Sequence, residues 1–395
     1  MFNPEFSIFN DWMFGKLSDL LSGVNPPSGS EPILLTIGEP KIPPPDIVRE
    51  TFNKYYKDWR KYTPSNGTRF FRDSVSEYIS RRYPKASEFF DIDDEITPVP
   101  GTRAPLFQIG LLLKNGSKNK DISLVTNPFY HAWRAGAIAA NEKIIWMDAN
   151  KETNWLPQPK NIDSKILERS SIMYVASPSN PHGSCASIDW LIQTINICRK
   201  NDILLCVDEC YADIYRQDYN PPTGTVEALK EIGEGSNGVI IFNSLSKRSS
   251  AAGLRAGYIA GDKKVISKYR QLTANGGVAI SEPQLRVAAA LYKDDEHVKK
   301  NRQFYDKNFL LSEKILGFKK PQGGFFNFIP VNDDLIATKH LWENHGVKVM
   351  PGRFMANSNN NYNPGENYLR IALVNDENIT ENGLNKISKG LQELT

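Results

Sequence analysis

The sequence predicts an α/β protein in which helices cover both faces of a mainly parallel β-sheet, with a smaller α+β domain attached. Short β-rich runs recur between about residues 95 and 265 and alternate with helical patterns, which is typical of parallel sheets. After residue 285 a long charged helical stretch appears, and short strand-like runs follow it. We therefore expect a large domain over residues 46–284 and a small domain formed by residues 1–45 and 285–395.

The β-rich runs define the strands of the large domain. They are DISLVT at 121, KIIWMDA at 143, SIMYVAS at 171, ILLCVDE at 203, GVIIFNS at 238 and AGYIAGD at 256. The clearest helix between them is expected to begin after Ser187, which we interpret as its N-cap, because Ile188, Leu191, Ile195 and Cys198 recur on one helical face. In the C-terminal part, the runs GFFNFIPV and NYLRIALV are interpreted as strands.

The overall composition favours a small, locally charged ligand. The chain has 395 residues with 48 Lys and Arg against 45 Asp and Glu, and this net charge of +3 is too small to indicate a nucleic-acid partner or an anionic membrane. No apolar run is long enough to cross a bilayer. The four cysteines fall in one short region of a long chain, which is not the usage of a disulfide-rich secreted protein, so a reducing cytoplasm is expected.

The most informative segment is NSLSKRSSAAGLRAG at residues 243–257. Lys247 follows a β-rich run, at the strand end where α/β folds place ligand chemistry. Ser244, Ser246 and Arg255 supply the hydrogen-bond donors and positive charge that a phosphate monoester needs. This combination suits a lysine that holds pyridoxal phosphate (PLP) as a Schiff base.

Four motifs in a fixed order resemble those of the class I/II aminotransferases, a family of fold-type I PLP-dependent transferases. SLSKxSxxxGLRxG resembles the PLP-lysine signature, VDECYADIY the D-E-x-Y element, ASPSNPHG the N-P-x-G turn, and NYLRIALV the run with the carboxylate-binding arginine. The resemblance implies a PLP-binding large domain with a mainly parallel sheet of the seven-stranded type and a smaller domain that closes over substrate. It also implies a homodimer with its active sites at the interface, and amino acids and 2-oxo acids as substrates.

The expected catalytic residues are Lys247, Asp208 and Tyr211. Lys247 would anchor PLP and then carry the proton at the substrate Cα. Asp208 ends the apolar run ILLCV, and a buried carboxylate there is costly unless it meets a cation, which the protonated pyridine nitrogen supplies. By resemblance, Asn180 and Tyr211 would hydrogen-bond the 3-oxygen of the cofactor, and Tyr130 would stack on its pyridine face.

The phosphate group needs backbone amides at a helix start together with a guanidinium. GTRAPLF at residues 101–107 follows the run ITPVP and opens an apolar helical stretch, so it is expected to supply those amides. By resemblance, a tyrosine in KYTPSNG would reach the phosphate across the dimer interface; its alternative is ordinary turn packing. The expected phosphate contacts are Gly101, Thr102, Arg103, Ser244, Ser246, Arg255 and, from the partner subunit's chain, the residue equivalent to Tyr62.

The substrate is expected to meet Arg370, Asn180 and Gly38. A lone arginine in a β-like run is expensive to bury unless it meets an anion, and a guanidinium grips a carboxylate through two parallel hydrogen bonds. Arg370 is therefore the expected partner of the α-carboxylate, with Gly38 lending backbone on the opposite wall. Lys41 either attracts a distal acidic group or is a solvated surface lysine.

The segments KLSDLLSGV, LTIGEPKIPPPDIV, GTR, NPFY, FNSLSKRS and NPGENYLRIAL resemble the succinyldiaminopimelate aminotransferases of lysine and diaminopimelate synthesis. That likeness implies N-succinyl-LL-2,6-diaminopimelate as a substrate, with glutamate and 2-oxoglutarate as the other pair. Pro100, Ala104 and Pro105 depart from the pattern of the subgroup. An aspartate- or aromatic-type aminotransferase and a PLP-dependent carbon–sulfur β-lyase remain alternatives, since the β-lyase would use the same Lys247, Asp208 and Arg370.

The sequence predicts no metal site. Cys206 and Cys210 lack the spacing and further ligands of a zinc site, and we interpret both as core residues. The histidines are scattered, and His340 and His345 do not form a helical i, i+4 pair.

Overall fold

A seven-stranded, mainly parallel sheet forms the centre of the larger part of the computed structural model, which describes residues 11–29, 31–113, 119–359 and 361–394. The strands in the described ranges are β1 (Ile33–Leu34), β2 (Ile96–Val99), β3 (Ile122–Asn127), β4 (Lys143–Asp148), β5 (Ser170–Ala176), β6 (Leu204–Asp208), β7 (Val239–Ser244), β8 (Gly257–Gly261), β9 (Phe326–Pro330), β10 (Val347–Lys348), β11 (Met350–Pro351) and β12 (Tyr368–Ala372). The order in the large sheet is β2-β8-β7-β6-β5-β3-β4, and β8 runs antiparallel to both of its neighbours. The predicted α/β fold is confirmed, and each of the six β-rich runs forms a strand.

Helices cover both faces of this sheet. The α-helices are α1 (Met13–Leu20), α2 (Ile47–Tyr55), α3 (Arg69–Arg82), α4 (Arg103–Leu113), α5 (His131–Ala140), α6 (Ser164–Arg169), α7 (Ile188–Lys200), α8 (Thr225–Ile232), α9 (Leu245–Arg248), α10 (Lys263–Gly276), α11 (Glu282–Lys293), α12 (Glu296–Leu316), α13 (Asp334–His345) and α14 (Glu377–Gln392). One face carries α3, α7, α8 and α11, and the other carries α4, α5 and α10. The sheet is therefore shielded on both sides, which explains why its central strands are continuous apolar runs.

The helix expected after Ser187 is confirmed as α7. The Ser187 hydroxyl accepts a hydrogen bond from the Trp190 backbone N–H at 3.2 Å, which satisfies one of the free amides of the first turn. Leu191, Ile195 and Cys198 are buried against the sheet, as the spacing predicts.

A second, smaller core is built from the C-terminal part of the chain together with the segment that contains β1. A three-stranded antiparallel sheet, β11-β12-β9, packs with α12, α13 and α14. Ile33 and Leu35 lie in the same core, and β1 pairs with β10 in parallel register. Helix α1 packs on Met350 and Met355. These contacts join the two ends of the chain, and the Gly38 and Arg370 segments thereby come close together.

The charged helical stretch after residue 285 consists of two helices rather than one. It breaks at Asp294, whose carboxylate accepts a hydrogen bond from the Glu296 backbone N–H at 2.8 Å and so favours a new helix start. Helix α11, before the break, packs against α2 and α3 on the core of the large sheet. The division of the chain at residue 284 stays a prediction.

Among the described helices, none combines the length and apolar character needed to cross a bilayer.

Candidate active site

A cavity of about 490 Å³ lies between the large sheet and the smaller core. Its floor includes the last residues of three adjacent strands, Ala176 of β5, Asp208 of β6 and Ser244 of β7, where parallel sheets commonly bind ligands. Most of the residues that the sequence predicts for the site line this cavity, namely Gly38, Thr102, Arg103, Tyr130, Asn180, Asp208, Tyr211, Ser244, Ser246, Lys247, Arg255 and Arg370.

Lys247 lines the cavity from the short helix α9. The Ser244 hydroxyl caps this helix by accepting from the Ser246 backbone N–H at 3.2 Å. The Nζ of Lys247 donates to the Gly38 carbonyl at 2.5 Å. The pKa of Lys247 is lowered to about 8, chiefly by burial and also by the charges of Arg370 and Arg103, against the opposing effect of Cys210 and Glu39. A neutral, nucleophilic amine is therefore accessible near neutral pH.

Asp208 is a buried carboxylate without a cation in direct contact. Its side chain is 8% exposed, and the hydrogen bond recorded to it comes from the Cys210 backbone N–H, at 3.1 Å to Oδ1. Burial raises the pKa of Asp208, while Cys210 and the charge of Lys247 lower it. Within the described ranges Asp208 has no ion pair. A buried acid in this state suits a cationic nitrogen of a bound ligand.

Arg370 is a buried guanidinium that lacks an acidic partner in the part of the chain that the structure describes. It lies on β12, is 2% exposed and stacks over Phe326, with 4.3 Å from Cζ to the ring centroid. Its Nη2 donates to the Thr36 carbonyl at 2.7 Å and its Nη1 to Asn180 Oδ1 at 3.2 Å, whereas its buried Nε has no partner. Burial lowers the pKa of Arg370 to about 10, so the group stays cationic at neutral pH. Such a charge is stabilised by an anionic ligand.

Arg255 lines the cavity, and Gly101 packs beside its guanidinium. Arg255 donates from Nη2 to the Pro100 carbonyl and from Nη1 to the Ala252 carbonyl, both at 3.0 Å. Gly101 has a φ of +72°, and a Cβ there would lie 2.4 Å from Arg255 Nη2, so only glycine fits beside this guanidinium. Gly101 itself does not line the cavity; it makes room for Arg255.

Hydroxyls and amides lie beside this arginine. The Ser244 and Ser246 hydroxyl oxygens are 2.9 Å apart, and α4 begins directly after Thr102. The combination of two hydroxyls, a helix start and a guanidinium suits a phosphate group.

Aromatic side chains and a second guanidinium border the cavity. Tyr130 precedes α5, and its hydroxyl accepts from Arg103 Nε at 3.2 Å. No acidic partner of Arg103 is found among the ion pairs of the described residues. Tyr211 packs edge-on against Phe325 and Phe326, and burial raises its pKa, so its phenol stays protonated.

Besides Gly101, two residues considered in the sequence analysis lie away from the cavity lining. Tyr62 follows the 3-10 helix Tyr56–Arg60, and its side chain is fully exposed. Its proposed contact across a dimer interface stays a prediction. Lys41 does not line the cavity; it pairs with Glu39 at 3.3 Å, and both side chains are half exposed.

Cys210 corrects one sequence interpretation. Cys206 is buried in the core as expected, but β6 ends at Asp208, so Cys210 leaves the strand and lines the cavity, with its Sγ 3.0 Å from Thr102 Oγ1. Sequence reasoning also missed Met13, Phe14, Ile37, His131, Trp133 and Phe326, which line the same cavity. The proximity of His131 and Trp133 to Tyr130 in the sequence was a usable signal for those two; nothing in the sequence connects Met13 to the site.

Comparison with known proteins identifies relatives over almost the whole chain. The family model described as aminotransferase class I and II matches residues 30–385. A protein named LL-diaminopimelate aminotransferase from Natranaerobius thermophilus is 28% identical over 91% of this chain and 92% of its own, and the protein of that name from Halothermothrix orenii is 27% identical over 94% of both. An aminotransferase from Neisseria meningitidis has a TM-score of 0.94 at 30% identity, covering 99% of this chain and 100% of its own. The aminotransferase AspB from Helicobacter pylori has a TM-score of 0.88 at 28% identity and covers 99% of both chains.

Proposed function

The chain belongs to the class I and II aminotransferases, enzymes that use pyridoxal phosphate, and from this premise we propose that it transfers an amino group between N-succinyl-LL-2,6-diaminopimelate and 2-oxoglutarate. Glutamate and 2-oxoglutarate form the second substrate pair. The observation that carries the proposal is that, besides the Arg255 assigned to the phosphate, two guanidinium groups in the cavity, Arg370 and Arg103, have no acidic partner among the residues described. A substrate that carries a second acidic group besides its α-carboxylate would supply an anionic partner for each of these two guanidinium groups.

The residues of the cavity fit the cofactor, because each of its charged or polar parts has a complementary group. The phosphate matches Arg255, the two serine hydroxyls and the amides of the α4 start. The ring nitrogen, when protonated, matches the buried Asp208, and the 3-oxygen matches Asn180 and Tyr211. Tyr130 offers an aromatic face for the ring.

When bound, PLP supplies an aldehyde that bonds to amines and a ring that withdraws electrons from the substrate Cα. Lys247 provides the amine that holds the cofactor, and in its free form it takes the proton from the substrate Cα and returns a proton to complete the transfer. Arg370 holds the substrate α-carboxylate and so orients the Cα–H bond. Asp208 keeps the ring nitrogen protonated through its negative charge.

The lowered pKa of Lys247 predicts how the cofactor-free protein takes up PLP. Only the neutral amine is nucleophilic, so the rate of reconstitution should rise with pH along a titration curve centred at about 8, rather than at the usual lysine value. Arg370→Leu removes one of the positive charges that lower this pKa, so its curve should shift to higher pH. Stopped-flow absorbance after mixing with PLP measures both curves. A wild-type midpoint at or above 10 would contradict the buried environment described for Lys247.

Substitution of Arg103 tests whether its guanidinium binds the second acidic group of the substrate. Arg103→Met removes the charge while keeping an unbranched apolar stem. A charge-assisted hydrogen bond is worth about 2 kcal/mol, or about 30-fold in kcat/KM. We therefore expect the ratio of kcat/KM for succinyldiaminopimelate to that for a monoacidic donor such as norleucine to fall about 30-fold. Lys41→Met, which removes an exposed lysine paired with Glu39, is the matched control and should leave the ratio within about twofold.

The outcome that contradicts this role of Arg103 is specific. If Arg103→Met lowers kcat/KM equally for both donors and also lowers the amount of PLP retained after dialysis, the Arg103 side chain binds the cofactor rather than the substrate. The ratio of the two donors and the retained cofactor are therefore measured on the same preparation.

Free LL-diaminopimelate is the second candidate substrate, and the names of the relatives favour it. Steady-state kcat/KM values for succinyldiaminopimelate, LL-diaminopimelate, aspartate and phenylalanine, each with 2-oxoglutarate as acceptor, separate the candidates. Succinyldiaminopimelate should rank first. A first rank for LL-diaminopimelate would assign the chain to the activity named in its relatives, and a first rank for aspartate or phenylalanine would contradict both diaminopimelate assignments.

A homodimer is part of the proposal. Tyr62 is fully exposed, and Tyr56 and Trp59 nearby are more than half exposed, so this segment offers an aromatic surface of the kind that interfaces use. In the dimer, Tyr62 would reach the phosphate end of the cavity of the other subunit.

A further inference from the structure

A cluster of metal-ligating side chains lies where α13 and α14 end, and none of its members lines the active-site cavity. His340 and His345 lie on the last turns of α13, and Glu393 directly follows α14. The Oε2 atom of Glu393 is 2.9 Å from His340 Nε2 and 2.8 Å from His345 Nε2. The two histidines are five residues apart, so their helical spacing alone does not predict a pair. They meet because the carboxylate of Glu393 lies between their rings.

We propose that His340, His345 and Glu393 bind one divalent cation of the zinc class, with solvent as the remaining ligand. Two imidazole nitrogens and one carboxylate oxygen are a common ligand set for Zn²⁺. All three ligand atoms lie within 4.8 Å of one another. Tetrahedral bonds of about 2.0–2.1 Å separate ligand atoms by roughly 3.3 Å. Each histidine nitrogen therefore needs to part from the Glu393 oxygen by only a few tenths of an ångström, and the two imidazole nitrogens reach that separation from at most 4.8 Å.

Charge and space at the cluster favour a cation. The hydrogen bonds from His345 and His340 lower the pKa of Glu393, so its carboxylate is ionised at neutral pH. Its side chain is 40% exposed while that of His345 is 8% exposed, which leaves the cluster open on one side for a hydrated ion to enter. A Cβ at Gly390 would lie 2.8 Å from His345 Cδ2 and 3.1 Å from its Nε2, so the glycine leaves the ligating edge of that ring uncrowded.

A neighbouring amide can orient one of the rings. Asn344 Nδ2 lies 3.0 Å from His340 Nδ1. In the tautomer whose ring proton is on Nε2 and points to Glu393, the Asn344 amide donates to Nδ1. Metal binding moves that proton to Nδ1, and the Asn344 amide, turned over, then accepts it through its oxygen. Such an outer hydrogen bond is typical of histidine ligands.

The bound cation would tie the last turn of α13 to the end of α14 and stabilise the C-terminal helix against fraying. The proposed metal site shares no residue with the lining of the active-site cavity, so it does not depend on the proposed substrate. Lys389, whose charge acts on Glu393, competes with a cation for that carboxylate.

The test is a calorimetric titration of the full-length, PLP-loaded protein with Zn²⁺ alone. We expect one equivalent of Zn²⁺ to bind and to raise the unfolding temperature of the protein. His340→Gln and Glu393→Gln should each weaken Zn²⁺ binding by at least about 10-fold, since even changes to residues that only contact a ligand cost that much. Glu381→Gln, which removes an exposed glutamate on the same helix, is the matched control and should leave the affinity unchanged. Lys389→Gln should tighten binding.

The variants also distinguish binding at this site from binding at the four free cysteines, whose thiolates are a type of zinc ligand. Unfolding curves without metal establish that His340→Gln and Glu393→Gln are folded. Affinity that is unchanged in both variants, or the absence of saturable binding to the wild type, would overturn the proposal.

Discussion

Replacing Lys247 with alanine should lower kcat by at least about 10⁴-fold, because one amine both holds the cofactor and moves the proton at the substrate Cα. The same change should remove the absorbance of the lysine-bound cofactor. The geometry supports both effects, since the half-buried Lys247 lines the same cavity as Arg370 and Arg103, whose charges act on its pKa. Steady-state rates and the absorbance spectrum measure the two losses.

Two comparisons show that loss of the amine is the cause. Lys263→Ala, an exposed lysine at the start of α10, is a matched control and should keep the wild-type rate. A small primary amine added to Lys247→Ala should restore part of the rate, because a free base can then reach the Cα proton. Retention of more than about one-hundredth of the wild-type kcat would be incompatible with the role assigned to Lys247.

Asp208→Asn should lower kcat/KM by about 10²- to 10³-fold or more. Removing one partner of a buried ion pair costs about 3–5 kcal/mol, and the proposed partner of Asp208 is the protonated ring nitrogen of the cofactor. The variant should also release PLP more readily on dialysis, because the ring loses its countercharge. Steady-state kinetics and cofactor retention measure these outcomes.

The neighbouring Glu209 offers the matched control. It is equally buried but lies outside the cavity lining, where its Oε1 accepts from the Thr225 backbone N–H at 2.7 Å. Burial raises its pKa to about 7. Glu209→Gln should reduce stability while changing kcat/KM by less than about 10-fold, since it does not touch the cofactor. Equal losses in Asp208→Asn and Glu209→Gln would mean that the site responds to local destabilisation rather than to the missing countercharge.

The parts of the fold that follow from local pattern could be predicted from the sequence. The apolar runs that became β3 to β8 are long enough and regular enough to be identified without tertiary information, and Ser187 marks a helix start by its own side chain. The break between α11 and α12 has no local signal, because no glycine or proline marks it in the sequence and it depends on the side chain of Asp294.

Individual site residues could be predicted from the sequence where they end a strand or belong to a motif. Asp208, Ser244 and Lys247 are of this kind, and Arg370 was identified by the family motif around it. The contact of Arg370 with the Thr36 carbonyl joins residues that are far apart in sequence, and no local pattern encodes it. The same reason explains why Met13 at the cavity edge and the meeting of His340 with Glu393 were not foreseen.

The most direct test of the aminotransferase assignment is a half-reaction followed by absorbance. The purified, PLP-loaded protein is mixed with glutamate alone, without an acceptor. Loss of the absorbance of the lysine-bound cofactor, with one equivalent of 2-oxoglutarate released per active site, is the result that the geometry and the family predict. An unchanged spectrum with glutamate, together with release of pyruvate from a cysteine-type substrate, would contradict amino transfer and assign the chain to β-elimination.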